Sequence, residues 1–270
     1  MSGTLERLHD VLDGLGPVVV AFSGGADSAF LARVAHDRLG RDRVLCATAV
    51  SASLAPVEAD ACRTLARAWD LRWTTVETQE IDDPAYVANG PDRCARCKTA
   101  LMAALAPLAE AEAATVVLGV NVDDLGDFRP GQAAAATGGA RFPLVDAGFT
   151  KSAVRECSRE LGLETWDKPA AACLASRVPY GTPVTLGTLG MVTAAESALR
   201  AMGLGSVRVR HYGDTARIEV PVDELAVVVD EREEVTARLH AAGYRYVTLD
   251  LDGLRSGNLN QALERRGVAP

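Results

Sequence analysis

Val18-Val19-Val20-Ala21-Phe22-Ser23-Gly24-Gly25-Ala26-Asp27-Ser28 runs an apolar strand straight into a Ser-Gly-Gly-x-Asp-Ser turn, with a helix expected next. Such a turn suits a pyrophosphate group. Glycines let the backbone approach a ligand and adopt conformations a β-carbon disfavours, and N–H groups opening the helix face an anion. Ser23 and Ser28 add hydroxyl donors. Asp27 repels phosphate by itself, so its expected task is to hold a magnesium ion that bridges phosphate oxygens, which makes ATP the expected ligand. Neither a Gly-x-x-x-x-Gly-Lys-[Ser/Thr] sequence nor a strand-linked Gly-x-Gly-x-x-Gly occurs, which disfavours kinase-type γ-phosphate transfer and dinucleotide binding. A ligand-free glycine turn is the plainer alternative, but strand, double glycine, acid and two hydroxyls together weigh against it.

Working outward, strands are expected at 17–22, 43–50, 72–77 and 115–120, separated by helices at 27–39, 56–69 and 95–112. That alternation predicts a parallel sheet with helices on both faces. The Gly- and Ala-rich stretch 131–140 places a long connection at 121–149, around the site. A helix at 150–162, with Thr150 and Ser152 as candidate caps, leads into an irregular segment, Thr165 to Pro183, that contains three prolines and marks a domain boundary. Beyond it, a helix at 186–203, strands at 206–212 and 215–220, helices within 222–241 and a strand at 244–249 form an α+β layer. The expected fold class is α/β: a parallel-sheet domain over 1–164, a linker over 165–183 and a smaller C-terminal α+β domain over 184–270.

Composition narrows the class. A chain of 270 residues, 48% apolar and only 5% aromatic, fits one large or two moderate α/β domains. No apolar run reaches membrane-spanning length, and the amphipathic, acid-bearing start from Met1 to Leu15 is unlike a secretory signal, so a cytoplasmic location without a membrane partner is expected. A net charge of −8 opposes nucleic acid, which would need a local basic patch. Six cysteines in a reducing compartment are expected as thiols, metal ligands or reactive groups.

Three constellations carry chemistry. Gly119-Val120-Asn121-Val122-Asp123-Asp124 follows a strand and so falls at the carboxyl edge of the sheet, where open α/β folds bind ligands. Asp124 and Asp127 are candidates for organising metal or pyrophosphate, against the simpler reading of a polar turn. Cys94 and Cys97 form a C-x-x-C pair at a helix start among Arg93, Arg96 and Lys98, surroundings that favour thiolate. Cys173, in the irregular Trp166–Arg177 segment, is the candidate third thiol, whereas Cys46, Cys62 and Cys157 fall at core or packing positions. Three thiolates on a 4Fe-4S cluster would leave one iron open to an extra sulfide, and structural zinc is the alternative. Finally, Arg208 and Arg210 alternate on one strand face and with Arg177 could clamp a phosphate or carboxylate, although an ordinary solvated strand face explains the alternation equally well.

Ser23–Ser28, Gly119–Gly131, the Cys94/Cys97 pair, Trp166–Tyr180 and Val247-Thr248-Leu249-Asp250 together resemble the LarE family, ATP-dependent sulfur transferases of the PP-loop superfamily. Asp167-Lys168-Pro169 followed by Cys173-Leu174-Ala175-Ser176-Arg177 is the most diagnostic part. The resemblance implies a PP-loop domain and adenylation of a carboxylate of pyridinium-3,5-biscarboxylic acid mononucleotide. Exchange of oxygen for sulfur then follows, in nickel-pincer nucleotide biosynthesis. It assigns ATP and Mg2+ to Ser23, Gly24, Gly25, Asp27, Ser28, Gly119, Asn121 and Asp124, and the substrate phosphate to Arg208 and Arg210, assisted by Ser176 and Arg177. Single-cysteine members of the family sacrifice the residue matching Cys173. Members with the C-x-x-C pair resemble cluster-dependent transferases, so Cys94, Cys97 and Cys173 imply a 4Fe-4S cluster supplied by a sulfide source. The family also implies a homo-oligomer, typically a hexamer. Rival readings are a tRNA thiolase, an amidating ligase, and a non-catalytic nucleotide-binding module with structural zinc.

Overall fold

The computed structural model describes residues 2–126, 130–169 and 172–255. Two compact units emerge, one comprising 1–80 with 92–171 and the other 81–91 with 172–270. Elements are numbered along the whole chain. The fold class is the expected α/β, with the parallel sheet in the first unit.

The first unit contains β1 (Val18–Ala21), β2 (Val44–Val50), β3 (Arg72–Glu77) and β4 (Thr115–Leu118), all parallel, in the order β3-β2-β1-β4. Val18, Val19 and Val20 are each at most 1% exposed, because a central parallel strand is covered on both faces and favours β-branched residues. On one side lie α1 (Ser2–Leu15), α2 (Ala26–Leu39) and α8 (Lys151–Glu160), whose Leu8, Leu12, Phe30, Leu31 and Val154 join Val18 and Val20 in one core. That core also takes Leu65 and Ala66 of α3 (Pro56–Ala68), a helix opened by proline at its first position. A second core gathers Val19 and Leu118 against Leu101, Met102 and Leu105 of α5 (Arg93–Ala111). Thr150 caps α8 by accepting from the Ala153 amide at 3.2 Å, as its position suggested. Among the described residues no helix is long and apolar enough to cross a membrane.

One expectation needs correction. The stretch 121–149 is not simply a long connection: it holds α6 (Pro130–Thr137) and α7 (Pro143–Asp146), and Arg141 bridges to Val117 beside β4. Its small residues serve close helix packing. A β-carbon on Gly131 would stand 3.0 Å from the Cys94 carbonyl oxygen, and one on Gly138 would stand 2.9 Å from Met102 Cγ, so α6 lies against α5 where larger residues would not fit.

The second unit is built on β5 (Arg208–Tyr212), β6 (Thr215–Glu219) and β7 (Tyr246–Leu249), with β5 antiparallel and β7 parallel to β6. Helices α9 (Leu186–Arg200) and α11 (Arg232–Ala241), with the short α10 (Leu225–Asp230), cover Val209, Ala216 and Ile218. The segment 81–91, which carries the short α4 (Pro84–Val87), belongs to this unit. Fully buried Asn89 holds it there, because its side-chain amide donates to the Pro179 and Thr182 carbonyls at 2.8 Å each and to Val178 at 3.3 Å.

Candidate functional site

The chain leaves β1 toward β2 and β3, then returns to place β4 on the other flank of β1. The order therefore reverses between β1 and β4, where open α/β sheets form a ligand crevice beyond the strand ends. The carboxyl ends of those two strands lead into Phe22–Ser28 and Gly119–Asp124. Two sequence segments about ninety residues apart thus meet at one edge.

Gly24 has φ +66°, a conformation that favours glycine, and an added β-carbon would sit 2.9 Å from Cys62 Sγ. Gly25 needs no such freedom. It precedes α2 with φ −79°, and no side chain caps that helix, so its leading N–H groups suit an anion. Gly119 matters for a different reason: a β-carbon there would stand 2.8 Å from both the Asp27 carbonyl carbon and the Ser28 nitrogen. The exit of β4 touches the backbone of the turn directly. Ser23 and Ser28 join hydroxyls at 3.0 Å, and Ser28 donates to the Gly25 carbonyl at 3.2 Å, which pins the turn from within. Lys168, from the Asp-Lys-Pro segment, donates to the Gly24 carbonyl at 3.1 Å and pairs with Glu58 at 3.0 Å. Sequence reading noticed its motif but not this bond to the turn.

Fully buried Asn121 connects two acids. Its amide donates to Asp27 Oδ1 at 3.2 Å, while its carbonyl oxygen accepts from the Asp124 backbone amide at 3.2 Å. Burial pushes the Asp27 carboxyl above its ordinary range. The Asn121 bond opposes that rise, the Asp124 charge adds to it, and Lys151 and Arg155 offset part of it. Two carboxylates coupled through Asn121 are the hard oxygen donors magnesium takes, and a divalent cation would relieve their mutual repulsion. Asp127 lies outside the described residues.

The sign of the Asp27 shift yields a test. A carboxyl whose folded pKa lies above its unfolded value contributes stability at low pH that is lost as pH rises through the folded pKa. Asp27→Asn is therefore expected to raise Tm at pH 7 in magnesium-free buffer, with the difference shrinking toward pH 4. A lowered Tm at pH 7 would contradict this account of Asp27.

The six cysteines divide by exposure. Cys46, Cys62 and Cys157 are buried, and burial raises the pKa of all three, pushing the Cys46 thiol up to about 12. Cys94 is exposed and Cys97 half-buried, one turn apart at the start of α5, while Cys173 is exposed in the second unit. Among the described residues, no three His, Cys, Asp or Glu of either unit taken alone form a metal-binding group. A thiol reagent added to the native, metal-free protein should label Cys94 and Cys173 first and Cys97 more slowly. Mass spectrometry should find Cys46, Cys62 and Cys157 modified only after unfolding.

In the second unit, Cys173 opens a single 3-10 turn, Leu174–Arg177, anchored by buried Leu174 and Ala175. Ser176 donates its hydroxyl to the Cys173 carbonyl at 2.7 Å. Arg177 Nη1 donates to the Ala172 carbonyl at 2.7 Å and the Cys173 carbonyl at 3.2 Å, and its other nitrogens reach both oxygens of Glu196, at 2.7 and 3.2 Å. Glu196 is fully buried and also accepts from Arg200 at 2.7 Å and the Val209 amide at 3.1 Å. Arg210 pairs with buried Glu219 at 2.8 Å and donates to the Ser176 carbonyl at 2.8 Å. Arg177 and Arg210 therefore hold the cysteine turn in place. Arg208 differs: it donates to the Arg255 carbonyl at 3.2 Å and has no carboxylate partner among the described residues. Burial, then the charges of Arg177 and Arg210, depress its pKa, and an anion would relieve that cost. Sequence reading missed Glu196 and Glu219, because one acid in an apolar helix and one ending a strand look like surface charge.

A parallel sheet with a Ser-Gly-Gly-x-Asp-Ser turn at its switch point defines a PP-loop protein. No protein-family model matches the chain. Pyridinium-3,5-bisthiocarboxylic acid mononucleotide synthase of Lactiplantibacillus plantarum is 38% identical over 259 residues, spanning 96% of this chain and 94% of that enzyme. An uncharacterized protein of Synechocystis is 41% identical over 268 residues, 98% of this chain and 100% of its own. One from Methanocaldococcus jannaschii is 26% identical over 240 residues, 88% and 91% of the two chains. The chain belongs to the LarE family of enzymes.

Proposed function

We propose that the protein is an ATP-dependent sulfur transferase of nickel-pincer nucleotide biosynthesis. It adenylates a carboxylate of pyridinium-3,5-biscarboxylic acid mononucleotide and replaces the oxygen with sulfur. The observation that carries this reading is 38% identity across 96% of the chain to the named synthase. ATP, the pyridinium mononucleotide and a sulfide source are the proposed partners, without nucleic acid or membrane. A cytoplasmic homo-oligomer, of hexameric size, is part of the proposal.

The turn Ser23–Ser28 receives the ATP phosphates through the N–H groups opening α2, and Gly119 lets the exit of β4 pack directly against the backbone of that turn. Magnesium held by Asp27 and Asp124 would supply positive charge to the departing pyrophosphate. A substrate carboxylate oxygen attacks the α-phosphorus, the bond to pyrophosphate breaks, and an acyl adenylate results. Asn121 fixes the Asp27 carboxylate for this step, and Arg208, with Ser176 and Arg210 beside it, anchors the substrate phosphate. A sulfur nucleophile then adds to the activated carbonyl and AMP leaves. Cys94, Cys97 and Cys173 are the proposed ligands of a 4Fe-4S cluster, which would supply a sulfide on its iron without a cysteine. Their thiols are the accessible ones among the six, the softness and exposure such a group needs.

The test is the iron, zinc and acid-labile sulfide content of protein reconstituted without oxygen, compared with a Cys94→Ala/Cys97→Ala/Cys173→Ala variant. Roughly four iron and four sulfide per chain, lost in the variant, is expected. Zinc alone would make the trio a structural site. Sulfur transfer without any metal would make Cys173 a sacrificial donor.

A further inference from the structure

The loops at the amino-terminal edge of the four-stranded sheet form an open cleft of about 440 Å3. Arg41 and Asp70, which line it, precede β2 and β3, whereas Ser23–Ser28 follows β1 at the other edge. A strand of six residues spans roughly 20 Å, so the cleft is a place apart from the nucleotide turn.

Its floor is apolar and its rim cationic. Ala66 and Leu71 are buried beneath it, and half-buried Trp73 forms a wall, its indole N–H held by Thr48 Oγ1 at 2.9 Å. Arg63 and Arg67, four residues apart on α3, reach the rim beside Arg41. Arg41 engages the Asp70 carbonyl at 3.2 Å and its carboxylate at 3.4 Å, and Arg63 pairs with exposed Asp60 at 2.8 Å. The Arg67 side chain makes no hydrogen bond or ion pair among the described residues. Three arginines and one carboxylate thus line the cleft, with Asp60 pairing Arg63, in a chain whose net charge is −8. Arg63 and Arg67, neighbours on one helix face, suit phosphate, which guanidinium binds bidentately. The volume falls within the usual range for small organic ligands and exceeds what one phosphate ion fills. A fixed indole beside an apolar floor offers a flat surface to an aromatic ring.

We propose that this cleft is a second ligand site that takes a mononucleotide, with phosphate on Arg63 and Arg67 and the ring against Trp73 and Leu71. It stands independently of the function assigned to the carboxyl edge.

The experiment titrates the full-length protein with AMP while a non-hydrolysable ATP analogue saturates the PP-loop, following tryptophan fluorescence and heat. One AMP per chain is expected, with affinity at least tenfold weaker in Arg63→Ala/Arg67→Ala and with the fluorescence change lost in Trp73→Phe. Adenosine and ribose 5-phosphate, each carrying half of the chemistry, should bind more weakly than AMP. No AMP binding beside the analogue, or unchanged affinity in the double variant, would overturn the proposal. So would ribose 5-phosphate binding as tightly as AMP, because the cleft would then be an anion patch only. If the analogue itself fails to bind, the PP-loop reading falls, and the double variant compared with wild type in AMP alone still decides the cleft.

Discussion

Cys173→Ala is expected to abolish thiocarboxylate formation while leaving substrate-dependent release of pyrophosphate from ATP in place. The two activities separate because the acids and hydroxyls proposed for adenylation belong to the β1 and β4 edge, whereas the role proposed for Cys173 is sulfur chemistry alone. The substitution should not disturb the fold. The Cys173 side chain is exposed, and the bonds that shape its turn are made to its backbone carbonyl by Ser176 and Arg177, which alanine retains. Loss of an essential nucleophile or its ligand costs on the order of 10³-fold or more. Mass spectrometry of the nucleotide product and a pyrophosphate assay on the same sample provide both readouts. Thiocarboxylate made by Cys173→Ala at the wild-type rate would remove sulfur delivery from this residue. Cys94→Ala and Cys97→Ala distinguish the mechanisms: both should fail if the trio holds a cluster, and both should work if Cys173 acts alone.

Glu196→Ala should destabilise the second unit by about 3–5 kcal/mol, the cost of removing one partner from a buried ion pair. The glutamate is fully buried and answers Arg177, Arg200 and the Val209 amide at once, so its loss strands a guanidinium of which only 7% of the side chain is exposed. Denaturant unfolding followed by Tyr signals would show the change, and a loss below about 1 kcal/mol would contradict the assignment. A second readout concerns position rather than stability. Arg177 donates to the Ala172 and Cys173 carbonyls while Glu196 holds its other end, so Glu196→Gln, which keeps the shape but weakens the pair, should raise the thiol reactivity of Cys173 above wild type. A purely structural glutamate would leave that reactivity unchanged in the folded protein.

Most of the secondary structure was legible, because β-branched runs such as Val18–Val20 and the alternation with amphipathic helices follow from local periodicity. The exception was 130–137. A run of glycine and alanine carries no apolar stripe, so it reads as a loop, yet Gly131 and Gly138 are small because α6 must approach Cys94 and Met102 closely. Placement was legible where residue type and chain position coincide, as for the Ser23–Ser28 turn after β1 and the accessible Cys94 and Cys97 at the start of α5. It was not legible where a residue's role depends on what folds against it. Lys168 reaches the Gly24 carbonyl across 144 positions in the sequence, and no local pattern encodes that bond.

The sequence alone determined the Ser-Gly-Gly-x-Asp-Ser turn between β1 and α2, the strand-helix alternation that makes the sheet parallel, and which cysteines sit in polar surroundings, because each depends on neighbours a few residues away. Tertiary structure decided the rest. It set the reversal of strand order that joins Ser23–Ser28 to Gly119–Asp124, and the contact that only glycine at 119 allows. It also turned Arg177 and Arg210 toward buried glutamates while Arg208 kept no carboxylate among the described residues. A charged side chain is assigned by the partners and burial it meets, and those are fixed by packing between distant segments rather than by residue type.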